Sequence, residues 1–484
     1  MAGMLLWPAV WNGYPIVFAD TGTYLSQAVH RYLGWDRPPF YSIFMLPLHW
    51  TLTTWPVVVA QAVLTSWVLA LVWRVLAPLR SARWLIPGTA LLALGTWLPW
   101  LVSELMPDVF TPVLVLTFCL LAFAPDRLAR WERMVLVPLA GFMIAAQQSS
   151  VAVWCGLLVG VGVWQGGRWW LSPDLWRDRV GRLSSGDKDN APTPPLPLRA
   201  WAAKRTEVGG RGGVRLLATL FRGRRLLLPP LLLAIAALCA VNLAGHGRFA
   251  LSPFGNVFLL ARLIADGPAR ATLQARCPEV GWRLCPFTEN LPDDSDEFLW
   301  SATSPILAAG GHKAISAEAN AIIAATLRDH PAEVLQSATR NSLNQFWRMQ
   351  SGDGLEPWPI QVTPWITRDF PPAEQARHAA ARQQTTGLSV PFGLATVHGV
   401  VAWAGAALCL VLLFTTRRRP GPHAGFLAVA LLVLPLSAIV TGALSCPHDR
   451  YQARVAWLPA LVGVATLLGR PPVRAAPKQA QIPT

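Results

Sequence analysis

Three short polar stretches interrupt an otherwise apolar chain, and each carries side chains that move protons or hold phosphate. In the first, WNGYPIVFADTGTYL, Asp20 ends the apolar run from Ile16 to Ala19. A carboxylate at the edge of a hydrophobic run is costly unless it has a partner or a task. Two readings stand: a helix N-cap, because Asp before Thr21, Gly22 and Thr23 fits one, or a general base. Downstream, Arg31, Asp36 and Arg37 precede Pro38 and Pro39, which fix an extended entry into the next helix. Arg37 either meets lipid headgroups or binds a substrate phosphate. The second stretch, WLVSELMPDVF, spaces Glu104 and Asp108 by four. On one helical face two such carboxylates repel and one is held protonated. Pro107 can start a helix but not continue one, so Asp108 also reads as a cap. The third, SCPHDRYQARVAWLPAL, offers His448, Arg450 and Arg454. The two guanidiniums fall one helical turn apart and suit phosphate oxygens, or they snorkel to headgroups.

Taken together, carboxylates from the first two stretches and cations from the third supply what transfer from a lipid phosphate to a hydroxyl requires: a base for the acceptor and counter-charge for the leaving phosphate. A fourth polar stretch, CPFTENLPDDSDEFLW, gathers Asp293, Asp294, Asp296 and Glu297. It reads as a solvated acidic turn or a divalent-cation site, although its oxygens follow no calcium-loop spacing. No phosphate-binding glycine loop, HExxH or GxSxG is present, which argues against an ATP-driven pump and the common hydrolases.

The elements that must position these groups follow from composition. Of 484 residues, 53% are hydrophobic and 14% charged, with 24 Trp and a mean hydropathy of +0.38. Soluble domains carry about 25% charged residues, so most of this chain cannot face water, as in a polytopic membrane protein. Apolar runs of spanning length fall near 55–77, 84–101, 108–124, 226–244, 391–415, 424–443 and 451–469. The run 134–164 is too long for one span and is broken by Gln147, Gln148, Ser149 and Ser150, which predicts two helices. Lys and Arg total 41 against 26 Asp and Glu, a net +15. The excess lies in loops at Arg74, Arg80 and Arg83, at Arg127, Arg130 and Arg133, at 166–225 and at Arg417, Arg418 and Arg419, which reads as the cytoplasmic side of a membrane protein rather than as a nucleic-acid surface. The segments 13–54, 102–108, 245–390 and 444–450 are then outside.

The expected organisation is an N-terminal transmembrane bundle over 1–165, a basic linker over 166–225, a transmembrane helix over 226–244, an external domain over 245–390, further transmembrane helices over 391–470 and a tail over 471–484. The external segment is nearly neutral and helical, with one helix over 314–327 and a second starting at Pro331 and running to about Met349. The stretch 184–213 has a linker's composition. Cys277 and Cys285 are close enough in sequence to pair in an oxidising compartment, while Cys119, Cys155, Cys239 and Cys409 sit in apolar runs. The run Leu5–Val10 is too short to span, an expectation that translation begins upstream of Met1.

The motifs FADTGTYL, SELMPD, RDHPAEVLQSATRNSLNQFW and HDRYQARVAWLPAL, in this order around the spans, resemble the GT-C class of membrane glycosyltransferases, such as protein O-mannosyltransferases and lipid A aminoarabinose transferases. The resemblance implies an all-α polytopic fold with an inserted external domain. It also implies transfer of a sugar from a polyprenyl-phosphate donor to an envelope acceptor (lipid, glycan or protein) at the outer face of a bacterial cytoplasmic membrane. It further implies Asp20 as base, Glu104 or Asp108 as second acid, and Arg450 or Arg454 as phosphate ligands, with Arg37 and His448 beside them; a divalent metal remains open. The first loop carries one Asp where protein mannosyltransferases carry an acidic pair. The alternatives are a lipid or solute transporter and a non-catalytic envelope assembly protein.

Overall fold

A computed structural model of the protein describes residues 1–170, 211–416 and 421–469. Most of the basic linker, the Arg417–Arg419 triplet and the tail lie outside the described residues. The described chain is helical, and its extended pairing is confined to one bridge between Ile16 and Glu104. Five stretches are long and apolar enough to cross a membrane: Trp55–Leu76, Arg225–His246, Leu394–Thr416, His423–Leu444 and Asp449–Leu468.

In chain order, α1 spans Thr21–His30, α2 Phe40–His49, α3 Trp55–Leu76, α4 Leu85–Gly95, α5 Leu98–Ser103, α6 Phe110–Phe123, α7 Arg130–Ala146, α8 Ser149–Trp170 and α9 Arg211–His246. The segment 245–390 contributes α10 (Gly255–Ala265), α11 (Pro268–Val280), α12 (Ser295–Trp300), α13 (Gly311–Asp329), α14 (Pro331–Trp347), α15 (Thr363–Asp369) and α16 (Pro372–Ala380). The chain closes with α17 (Leu394–Thr416), α18 (His423–Leu444), α19 (Asp449–Ala456) and α20 (Leu458–Leu468). The expected break in 134–164 falls at Gln147, which is extended between α7 and α8. The run 84–101 departs from expectation. Thr96 is extended, and the chain restarts as the short α5 with Pro99 in its first turn, so no single helix crosses there.

Small residues let these helices approach closely, as apolar surroundings favour. A Cβ on Gly405 of α17 would lie 2.5 Å from the Ala460 nitrogen of α20. One on Gly442 of α18 would lie 2.7 Å from the Asn341 oxygen of α14. Basic loop residues meet at one end of the bundle. Arg74 of α3 bonds Glu132 of α7 at 2.5 Å, Arg127 donates to the Val75 carbonyl at 2.7 Å, and Arg80 donates to the Leu468 carbonyl at 3.1 Å. About 20 Å back along α3, Gln61 donates to the carbonyls of Val102 and Glu104 at 3.0 and 2.9 Å. The acidic loops therefore sit at the other end of that helix.

The segment 245–390 divides in two. Helices α10 to α13 bury a core of their own around Val257, Leu260, Leu273, Phe298, Ile315 and Ile322, and a disulfide joins Cys277 to Cys285, with Cα atoms 5.1 Å apart. Beyond Pro331, by contrast, Met349, Leu355, Val362, Ile366 and Phe370 belong to the core of the bundle, and α14 packs along α18. The small and amide side chains on the inner face of α14, Ser337, Asn341 and Gln345, are what permit that approach.

Candidate functional site

The first two loops are knitted together by backbone bonds. The Ile16 N–H donates to Ser103 and the Leu105 N–H donates to Ile16, both at 2.9 Å. The Thr21 hydroxyl accepts from the Phe18 N–H at 2.9 Å and donates to the Leu105 carbonyl at 3.1 Å. This hydroxyl occupies the start of α1. Asp20 stands at the N-cap position but makes no side-chain cap bond. Its Oδ1 instead accepts from Arg37 Nη2 at 2.8 Å. The Arg37 guanidinium is further placed by Asp36, whose carbonyl accepts from Nη1 at 3.3 Å, and by the Trp300 ring, 5.7 Å away. Arg37 is thus a partner of Asp20 in this structure.

Glu104 and Asp108 do not share a helical face. Glu104 is extended beyond the end of α5 and forms the bridge with Ile16, and Pro107 opens a separate turn that carries Asp108. The sequence expectation of a helical i,i+4 pair is corrected by that proline. The electrostatic consequence survives the correction. Burial, followed by the charge of Asp108, raises the Glu104 carboxyl to about 8, with Asp353 and Asp20 adding to the shift and Arg450 opposing it. At neutral pH Glu104 is therefore mostly a protonated acid, able to donate a hydrogen bond.

Asp108 is buried, and its Oδ1 receives Arg454 Nη1 at 3.1 Å and Gln147 Nε2 at 3.4 Å. Thr111 fixes the amide by donating to Gln147 Oε1 at 2.6 Å. The helix break at Gln147 therefore serves this cluster. Asp108 lies inside its short turn, with Met106 at the cap position, so the cap reading does not describe it. Arg454 is 1% exposed, and its Nε and Nη2 are buried without a hydrogen-bond partner among the described residues.

One turn earlier on α19, the Arg450 guanidinium lies 3.9 Å from the Phe18 ring and 4.8 Å from that of Tyr451, whose hydroxyl accepts from Nη2 at 3.1 Å. No carboxylate among the described residues lies within ion-pair distance of that guanidinium. Asp353 Oδ2 instead accepts the Arg450 backbone N–H at 3.1 Å. His448 stands between two acids, 3.4 Å from Asp296 and 3.8 Å from Asp353. The Asp296 contact, with help from Cys446, raises the imidazole to about 10 and lowers the Asp296 carboxyl. The cationic His448 thus latches α12 to the last loop. The backbone of His448 is held from below, by Gln345 of α14 at 2.8 and 2.9 Å.

The structure brings Asp20, Glu104, Asp108, Arg37, His448, Arg450 and Arg454 to one end of the bundle. It adds Phe18, Tyr451, Asp296 and Asp353, which the sequence reading did not assign. Asp296 belonged to the acidic stretch, two other members of which are also engaged: Asp294 caps α12 and Asp293 meets Arg270 at 2.5 Å. Asp353 carries no motif. The residues present do not fit a divalent cation. Among the described residues no three His, Cys, Asp or Glu side chains gather as a ligand set, and Asp20 and Asp108 each spend an oxygen on an arginine.

Fold and cluster together define a helical membrane protein with a buried ionic cluster formed by loops at one end of its spans. No family model, curated protein or solved structure matches the chain.

Proposed function

We propose that the protein is a GT-C-like glycosyltransferase of a bacterial cytoplasmic membrane, moving a sugar from a polyprenyl-phosphate donor to an envelope acceptor on the periplasmic side. The observation that carries this reading is the Arg450 guanidinium, held between Phe18 and Tyr451 without a carboxylate partner among the described residues and sharing one cluster with Asp20 and Glu104. An arginine held by rings and left without an ionic partner is suited to a phosphate.

In this reaction the acceptor hydroxyl gives its proton to Asp20 as its oxygen attacks the anomeric carbon. The bond from that carbon to the phosphate oxygen breaks, and the phosphate leaves with the bonding electrons and with inversion. Arg450 and the unpartnered edge of Arg454 offset the charge that develops. Arg37 holds Asp20 in register, and protonated Glu104 donates a hydrogen bond to the acceptor or to the departing oxygen.

Proteoliposomes given a polyprenyl-phosphate sugar and an envelope extract test this. Asp20→Asn keeps a hydrogen-bond acceptor for Arg37 and removes the base, so transfer should fall by about 10²–10⁴-fold with the protein still folded. Transfer at the unsubstituted rate by folded Asp20→Asn eliminates the assignment. Flux of solute or lipid without chemical conversion would favour a transporter instead.

A further inference from the structure

The two sides of α14 meet different surroundings. Its inner side is polar and satisfied: Asn341 donates to both oxygens of Asp266 at 2.9 and 3.0 Å, and Gln345 holds the His448 backbone. Its outer side repeats every four residues as Leu335, Thr339, Leu343 and Trp347, and the three large members are 70%, 60% and 67% exposed. This stripe is continuous with a spanning helix, because Trp347 meets Trp403 of α17 at 5.2 Å and Phe346 meets it at 5.9 Å. Val400 of α17 is exposed beside them. Hydrocarbon must cover the exposed side of a spanning helix, and what covers Trp403 reaches Trp347.

A shallow apolar cleft runs along Leu335, Thr339 and Leu343 and is flanked by Gln336 and Arg340. The same two residues line a second, polar cleft between α14 and the start of α11. The acids in that cleft are occupied: Asp266 by Arg262 and Asn341, and Glu333 by His330 at 2.5 Å. Arg340 is exposed and makes no ion pair among the described residues. An apolar cleft with a cation at its side has the chemistry that a phospholipid's acyl chain and phosphate require.

We propose that the outer side of α14 seats an anionic bilayer phospholipid, with an acyl chain along Leu335, Leu343, Trp347 and Trp403 and the phosphate on Arg340. The occupant is a bilayer lipid and not the lipid-linked donor. A phosphate at Arg450 lies on the inner side of α14, beyond the contact of Gln345 with His448. The proposal is independent of the transfer reaction.

Native mass spectrometry of the detergent-solubilised full chain, with phosphatidylglycerol or phosphatidylcholine added, tests the headgroup. The unsubstituted protein should retain phosphatidylglycerol preferentially. Arg340→Gln should cut that retention about fivefold and leave phosphatidylcholine unchanged, whereas equal retention by both proteins overturns the proposal. A nitroxide on Leu343→Cys in nanodiscs tests the cleft, with the unsubstituted protein as labelling blank and Glu289→Cys on the external helices as the water-exposed reference. Oxygen should broaden its spectrum and a nickel chelate should not. Broadening by nickel equal to that at Glu289→Cys overturns the proposal, as does a dimer that Leu343→Arg splits, because a second copy of the chain would then cover the stripe.

Discussion

Glu104→Gln should stabilise this protein, and should do so only as the pH rises. The carboxyl lies in a connection outside the spanning helices, raised from an ordinary value of 4.5 to about 8, first by burial and then by Asp108. Below pH 4.5 the folded and unfolded chains both hold the proton and the group has no effect on stability. Between 4.5 and about 8 the folded protein keeps a proton that the unfolded chain has released, so stability falls with pH, by about 1.4 kcal/mol for each unit. Across that window the ceiling is on the order of 5 kcal/mol. Glu104 is partly exposed, and solvent screening brings the expected cost to about 2–3 kcal/mol. Glutamine has the shape and neutrality of the protonated acid and escapes this cost. Thermal unfolding of both proteins in one detergent, from pH 5 to 9, should give midpoints that coincide at the acid end and separate progressively towards pH 8.5, the variant being the more stable. A constant offset, or an unsubstituted protein that gains on the variant as pH rises, would refute the reasoning. A carboxyl that lowers stability at neutral pH is what a functional site retains and a purely structural one loses.

Three further expectations concern the supports of the cluster. Glu374 is fully buried and its Oε1 accepts from the Tyr14 hydroxyl, the Thr54 N–H and the Thr54 hydroxyl at 2.9, 2.8 and 3.1 Å. Glu374→Ala should therefore cost about 2–4 kcal/mol, and Glu374→Gln, which keeps an acceptor oxygen, clearly less, both read from unfolding midpoints. The His448 latch has a folded value raised to about 10 from 6.5, so its stabilisation is complete below pH 6.5 and disappears as pH climbs through 10. Hydrogen exchange over Ser295–Trp300, corrected for intrinsic rate, should accelerate across that range in the unsubstituted protein and be fast throughout in His448→Gln. Gly442→Ala would drive a Cβ against the Asn341 backbone and should cost about 1–3 kcal/mol, while Gly399→Ala, which meets nothing within 4 Å, should be silent in the same unfolding assay.

Five spans were legible because each is a run of apolar residues of bilayer length, whereas 108–124 yields a helix of only 14 residues, α6; the break at Gln147 was legible because four polar residues interrupt an apolar run. The failure at 84–101 shows the limit of that signal. Leu85 to Leu101 is apolar throughout, and what stops the helix is the extended conformation at Thr96 before a new start at Pro99. Asp20, Glu104, Asp108, Arg450 and Arg454 could be picked out because each is an ionisable group at the margin of an apolar run. Their pairings could not. Arg37 reads equally as a headgroup contact or as a phosphate ligand, and its partnership with Asp20 appears only with the 2.8 Å contact in the fold. Asp353 and Phe18 gave no signal, since neither an isolated carboxylate in a polar stretch nor a phenylalanine in an apolar one is unusual. The dual nature of 245–390 was also hidden, because α14 is polar enough in sequence to read as external and only the close approach at Gly442 reveals its neighbour.

The same end of the bundle contains three interruptions of helix: between α5 and α6 at Glu104, between α7 and α8 at Gln147, and between α18 and α19 at Ser445 to His448. Their coincidence explains how the protein tolerates so many ionisable groups beside its spans. An uninterrupted helix satisfies its own backbone and offers a buried charge nothing, whereas a break releases carbonyls and amides that can hold polar side chains. The carbonyls of Val102 and Glu104 hold Gln61, and the backbone of His448 is held by Gln345. Within this frame Asp20 is paired with Arg37, Asp108 with Arg454, and His448 with two acids. Three groups of the cluster differ: among the described residues, Arg450 has no ionic partner and one edge of Arg454 no hydrogen-bond partner, and the Glu104 carboxyl is kept protonated. Each of the three donates hydrogen bonds and none carries negative charge at neutral pH, and it is on this donor chemistry that the proposal of a phosphate-ester substrate rests.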